Sequence, residues 1–286
     1  MEPIHLFLPS PRKSRYSRRL PVGPVLAALM VMVCIHRLAA AAVDDRNADM
    51  VPIAAATFVM GSDTGPDDER HAHRVTVASF RIDRREVSNA EFARFLNAVG
   101  DFHNAAGRRL YDADDGDARI HPVDGRWRAD KGFETHPVNE ASWFGARDYC
   151  AWRGARLPSE AEWELAARGV EGRRYPWGDA PPDAARARYD TGWMRTLPVG
   201  SLSVGATPEG VLNLAGNVHE WTSSLYRPYP YDAGDGREDA DSDAARVTRG
   251  GAADTGADSL TGTWRGRTVS RRPRAGHHNI GFRCAK

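Results

Sequence analysis

Apolar residues recur at helical spacing in three places along the chain. In "SNAEFARFLNAVG", Phe92, Phe95, Leu96 and Val99 fall on one face. Ser88 and Glu91 supply a capping box and Gly100 a stop, so the pattern predicts a helix between them. "WFGARDYCAWRG" predicts a second helix, with Tyr149 and Cys150 near its C-terminal end and Gly154 just past it. "LPSEAEWELAARG" predicts a third: Ser159 and Glu162 cap it, Trp163 and Ala166 face inward, and Gly169 terminates it. Ahead of these, "ATFVMGS" and "HRVTVASFRID" alternate apolar and polar positions as strands ending in turns do. Beyond Gly169 no helical period survives; "PWG", "LAGN", "RGG" and "IGFR" punctuate short strands and long loops. "YDAGDGREDADSDAAR" reads as a solvated surface loop, without the glycine spacing of a calcium loop. No internal repeat or linker divides the chain.

The first forty-odd residues follow a different logic. Basic "RKSRYSRRL" precedes the apolar "PVGPVLAALMVMVCI", and small residues in "RLAAAA" precede polar "VDDRN". That order is a secretory signal, here over residues 1–42, with 43–56 a short leader and 57–286 the folded domain. Export to the periplasm or the extracellular space is the expectation, leaving no stable membrane span once the signal is cleaved. An uncleaved anchor in the inner membrane stays open, although the apolar run falls short of the roughly 20 residues a span needs. Arg18-Arg19 is a poor match to a twin-arginine signal. Val33 ahead of Cys34 is too bulky for a lipoprotein cleavage site, so Cys34 leaves with the signal.

The formal net charge of +1 gives no reason to expect a nucleic-acid or polyanion partner. With 27 Gly, 18 Pro and 8 Trp and no long hydrophobic runs in the domain, the composition favours a loop-rich fold anchored on aromatics. Two of the three cysteines, Cys150 and Cys284, lie in the domain. An even pair in an oxidising compartment favours a disulfide over two free thiols. Nucleophile-elbow, P-loop and dinucleotide signatures are absent.

"NLAGNVHEWTSS" places an amide oxygen at Asn213 and a carboxylate at Glu220 around a Gly216 turn. Carbonyls near Gly216 and Val218 could converge with Glu220 as hard oxygen ligands for Ca²⁺. Taken alone, the segment reads more readily as a capped turn with a surface glutamate.

"FVMGS", "HRVTVASFRIDRREVSNAEFARF", "HPVNEASWFGARDYCAW", "RLPSEAEWELAARG", "YPWGD", "LNLAGNVHEWTSS", "RVTRGG" and "NIGFRCA" occur in this order. Together they resemble the formylglycine-generating enzyme, or sulfatase-modifying factor, family over about Thr57 to the C-terminus. The resemblance implies an irregular, loop-rich mixed α/β fold related to C-type lectins, with bound calcium. It also implies relatives that oxidise a sulfatase cysteine to formylglycine with a copper-binding cysteine pair. Calcium would be held by the side chains of Asn213 and Glu220 and the carbonyls of Gly216 and Val218. A second calcium site beginning near Asp190 lacks its completing stretch. Cys150 and Cys284 match positions bonded in relatives, making Cys284 a clamp on the chain end; the family's other bridge would need cysteines at Ala167 and Arg265.

Counting from "RGG" and from "IGFRC" puts the two active-site cysteines at Thr255 and Leu260, and the serine after the glycine pair at Ala252. Copper(I) needs soft thiolates there, which neither a hydroxyl nor a methyl replaces, so copper is not expected. Trp264, Arg267, Arg272 and Arg274 in "WRGRTVSRRPRAGHH" are expected to line the same cleft, where the arginines could grip carboxylate or phosphate; singly, each arginine reads more readily as a surface residue or structural hydrogen bonder. Adjacent His277 and His278 would face opposite sides of a strand, which speaks against one iron using both. The resulting expectation is an accessory or maturation factor that binds a peptide, protein or small molecule in the old cleft. The alternatives are an oxidoreductase of altered chemistry, like exported relatives in siderophore maturation, and a true formylglycine-generating oxidase acting on a "CxPxR" peptide.

Overall fold

The computed structural model describes residues 49–266 and 272–286, all within the unit Asp45–Lys286. Strands β1 (Met50–Ile53), β2 (Ala56–Met60), β3 (His73–Val77) and β4 (Phe80–Asp83) precede helix α1 (Asn89–Val99). A hairpin of β5 (Ile120–Val123) and β6 (Arg126–Ala129) leads to α2 (Trp143–Trp152) and α3 (Glu160–Arg168). Strands β7 (His219–Leu225), β8 (Arg246–Arg249) and β9 (Ile280–Gly281) complete the chain, with single 3₁₀ turns at Asp67–Glu69, Ser203–Gly205 and Ala257–Leu260. β1 pairs with β4, β2 with β3 and β5 with β6, all antiparallel, while β8-β7-β9 form a three-stranded sheet. This is the irregular, loop-rich α/β architecture the sequence predicts.

Local signals explain the helices. Both capping boxes form, Ser88 with Glu91 and Ser159 with Glu162, and Gly100 ends α1 in the left-handed region. Phe92, Phe95 and Leu96 are buried as expected, but Val99 at the end of the same stripe is 43 % exposed. Trp163 and Ala166 face inward from α3 against β2 and β3, in a core that includes Phe58, Met60, Val75 and Val77. A second core gathers Phe92, Tyr149 and Phe282 with ring centroids 5.4–5.9 Å apart.

Two expectations need correction. The leader 43–56 contains β1, whose Val51 and Ile53 are buried against the core, so the folded part starts before Thr57. The acidic stretch 231–246 is not simply a solvated loop, because Arg237 and Arg246 are buried within it. Arg246 lies 3.6 Å from the Trp143 ring centre and donates to the carbonyls of Ser223, Asp239 and Ser242. Glu238 accepts from Ser223, Ser224 and Tyr231. Among the described residues, no helix is long and apolar enough to cross a membrane; the expected signal, residues 1–42, lies outside them.

The chain end is zipped into the body. Lys286 exchanges backbone hydrogen bonds with Arg81, and Ala285 with Arg156. The Cys284 amide donates to Asp83 Oδ2, which also accepts from Arg153 at the end of α2. Cys284 is disulfide-bonded to Cys150 of α2, closing a separation of 134 residues. Such a crosslink removes unfolded-state entropy worth roughly 4–5 kcal/mol in the chain-entropy model. The Cys150→Ser/Cys284→Ser protein is expected to lose stability of that order in urea unfolding with folded-state circular dichroism retained; an unchanged midpoint would show that the clamp is dispensable.

Candidate functional site

The segment before β7 is a tight turn built on left-handed residues: Asn213 (φ 55°), Gly216 (φ 80°) and Asn217 (φ 67°). A Cβ at Gly216 would lie 2.3 Å from the Arg188 carbonyl oxygen, so only glycine allows that approach. The turn delivers Glu220 into the interior, where it is 1 % exposed. Arg283 Nη2 donates to Glu220 Oε1 (2.6 Å) and Arg283 Nε to Oε2 (2.8 Å), and Trp163 Nε1 also donates to Oε2 (2.8 Å). Asn213 turns its Nδ2 toward Glu86 Oε2 (3.1 Å), and Asn217 Nδ2 bonds Oε1 (2.8 Å). Burial pushes Glu86 up to about 7, with Arg283 opposing and Glu220 reinforcing the shift.

This geometry bears on the calcium expectation. Asn213, Gly216, Val218 and Glu220 share one turn, and a divalent ion on Glu220 would share its carboxylate with a guanidinium already bonded to both oxygens.

The positions expected to border a cleft divide. The Thr255 hydroxyl accepts from the Ala252 amide (2.8 Å) and shares hydrogen bonds with the Ala252 carbonyl (3.0 Å) and Ser259 Oγ (2.7 Å). It thereby braces the Ala257–Leu260 turn. Leu260 is fully buried with Tyr175, Ala187 and Ala215. Trp264 is buried and stacks on His219 at 5.0 Å. Arg274 is drawn away to an ion pair with Asp243 of the acidic loop, Arg272 is exposed, and Arg267 lies outside the described residues. Thr255, Leu260 and Trp264 thus belong to one turn region, whereas Arg274 serves another surface. Arg265, where a bridging cysteine would stand, is buried and bonded through Nε and Nη2 to Glu160. Ala167, the other position of that bridge, is core.

Several residues beside Thr255 escape a reading by motif. His278 Nε2 lies 2.8 Å from Asp254 Oδ2, and its ring stacks on Trp193 at 3.5 Å. Trp193 Nε1 donates to both carboxylate oxygens of Asp117 (3.1 Å each). His219 is fully buried with neither ring nitrogen hydrogen-bonded among the described residues, and burial drives it down to about 3. The adjacent pair "HH" and the lone Trp193 carry no spacing signal; only their convergence in space singles them out. A polar recess of about 530 Å³, lined in part by Asp258, Thr261, Thr263, Glu69 and Arg168, flanks the same turn.

The small sheets, braced turns and zipped C-terminus define an irregular α/β domain of the C-type-lectin-related kind. The chain belongs to the sulfatase-modifying factor family: residues 36–286 match the family model described as a sulfatase-modifying factor enzyme 1-like domain. It is 33 % identical over 286 residues to the formylglycine-generating enzyme of Streptomyces coelicolor, covering 82 % of this chain and 88 % of that one. It is 37 % identical over 246 residues to the serine/threonine-protein kinase Pkn1 of Chlamydia trachomatis serovar L2, covering 83 % of this chain but only 38 % of the kinase's length. PvdO from Pseudomonas aeruginosa shares the fold, with a TM-score of 0.61 at 24 % identity over 82 % of this chain and 93 % of that one.

The raised Glu86 makes a pH prediction. Its stabilising contribution is present below the ordinary glutamate range, near 4.5, and is lost as pH rises through about 7. His219, lowered by burial, pulls the opposite way over part of that range, so the informative quantity is the difference between proteins. The unfolding free energy of Glu86→Gln minus that of wild type is expected to rise by roughly 3 kcal/mol between pH 4.5 and 7. A flat difference would contradict a buried, protonated Glu86.

Proposed function

We propose that this chain is an exported member of its family that binds a peptide, protein or small-molecule ligand at the surface around Thr255 and Trp264. In that role it is an accessory or maturation factor working without the family's copper chemistry. The observation that carries the reading is the state of the two positions assigned to the catalytic cysteines. Leu260 is packed into a core cluster and the Thr255 hydroxyl is committed to bracing its own turn. The domain's two cysteines are bonded to each other far along the chain, so among the described residues no thiolate is available to hold cuprous ion or to exchange with a substrate thiol. Export is supported by the signal-like order of residues 1–42 and by a disulfide of the kind that persists in oxidising compartments.

The decisive experiment offers the purified protein Cu(I), oxygen and a peptide of the "CxPxR" type. The peptide is expected back with its thiol intact, and competition with a chelator is expected to show no tight cuprous binding. Formation of an aldehyde at the peptide cysteine overturns the reading, because it would require a thiol pair that Thr255 and Leu260 cannot provide.

A further inference from the structure

We infer that Asp115, Asp117 and Glu140 form a binding site for one hard divalent cation, with calcium the fitting ion, on the wall that carries Trp193. This does not rest on the ligand-binding reading above, nor on the Gly216 turn, which Arg283 locks.

One carboxylate oxygen from each of the three residues lies within 4.8 Å of the other two. Oxygens on opposite sides of a calcium ion are separated by twice the Ca–O distance, about 4.6–5.2 Å, whereas magnesium draws its ligands to about 4.0–4.2 Å. Three oxygens within 4.8 Å of one another are close enough to share one calcium ion without rearrangement.

An acidic cluster alone would mean little on an exposed loop. The second observation is Glu140. It is 2 % exposed, and its carboxyl has neither hydrogen-bond donor nor ion-pair partner among the described residues, yet it points at both aspartates. A buried carboxyl left unpartnered beside two carboxylates is disfavoured by desolvation and like-charge repulsion together. Its position is enforced by the backbone. The Glu140 amide donates to the His277 carbonyl, and its carbonyl accepts from Asp112. A Cβ at Gly276 would come within 2.2 Å of the Glu140 carbonyl oxygen. Arg109 is spent on Asp112 and Asp114. The neighbouring Asn139 donates Nδ2 to the Asp117 carbonyl (2.7 Å) and keeps a buried Oδ1 without a donor.

The site reaches the Thr255 surface through contacts already described: Asp117 holds Trp193, Trp193 stacks on His278, and His278 bonds Asp254. A cation here would fix the loop 112–117 and with it the indole. Asp115, Asp117 and Glu140 thus act as ligands, and Trp193 as a reporter within reach of the ion.

The test uses the full chain, freed of metal by chelation, in equilibrium dialysis against ⁴⁵Ca²⁺ and in titration with Tb³⁺ under tryptophan excitation. Wild type is expected to bind calcium and to sensitise terbium emission. Glu140→Gln and Asp115→Asn are expected to weaken binding by at least about tenfold. Trp193→Phe should retain the calcium and lose several-fold of the sensitised emission. Asp115 is exposed, so its variant keeps the test open if Glu140→Gln fails to fold. Wild type that binds no calcium, or Glu140→Gln and Asp115→Asn that bind it with unchanged affinity, overturns the inference; the first result would assign a proton, not a metal ion, to Glu140.

Discussion

The ion pair between Arg283 and Glu220 is the constraint on which the rest of this structure depends. Both residues are essentially fully buried, and the guanidinium donates beyond its partner to the carbonyls of Asp83, Arg84 and Leu212. One side chain just past the last strand therefore joins β4, the loop before β7, and β7 itself, while Trp163 ties α3 to the same carboxylate. Replacing a buried pair with apolar residues is often neutral, but removing one partner typically costs about 3–5 kcal/mol, because the other charge is stranded. Here it would also strand three carbonyls.

The same device recurs because the fold creates the need for it. Sheets of two and three strands leave many backbone carbonyls in loops, and each buried one needs a donor. Arginine offers five donors in a rigid fork. Arg237 reaches the carbonyls of Pro228 and Pro230, Arg249 that of Gly262, and Arg265 those of Asp68 and Arg227. Glu160 and Glu164 on the inner face of α3 meet the charge of Arg249 and Arg265, and Asp235 meets that of Arg237. At Arg265 this network occupies one of the positions where the family's other bridge would sit, so a non-covalent tie to α3 runs from there. In this chain a buried arginine layer performs much of the bracing that regular sheets or extra disulfides provide elsewhere.

What the sequence revealed follows from the range of each interaction. Capping boxes and apolar stripes act within a few residues, so α1 and α3 were legible from Ser88, Glu91, Ser159 and Glu162. The clamp at Cys284 was legible because cysteine pairing is nearly binary in a domain with two. β1 was not: "MVPI" is four residues long and contains a proline, which weakens any strand reading, and its partner β4 lies thirty residues on. Pro52 is tolerated because it is exposed on an edge. Arg237 and Arg246 were hidden by their acidic neighbours, since local charge density says nothing about which member of a stretch turns inward. The convergence of Asp115 and Asp117 with Glu140 spans more than twenty positions, and "YDADDGD" with its four clustered aspartates was the sole hint.

The turn that carries Thr255 and Leu260 is held by its own contacts. A catalytic thiol must be ionisable and open to its substrate, which leaves the surrounding turn short of internal partners. Here the opposite holds. Gly251 permits close approach to Ser259, Thr255 closes hydrogen bonds on Ala252 and Ser259, and Leu260 fills an apolar niche beside Tyr175. Each residue satisfies its neighbour, so the turn is stable without a metal or a substrate. The groups still facing outward with polar chemistry are on the adjoining wall, Asp254, His278 and Trp193, which are held in a chain of direct contacts. That wall is tied to the loop 112–117 through Asp117 and Trp193, while Thr255 and Leu260 are absorbed into the fold.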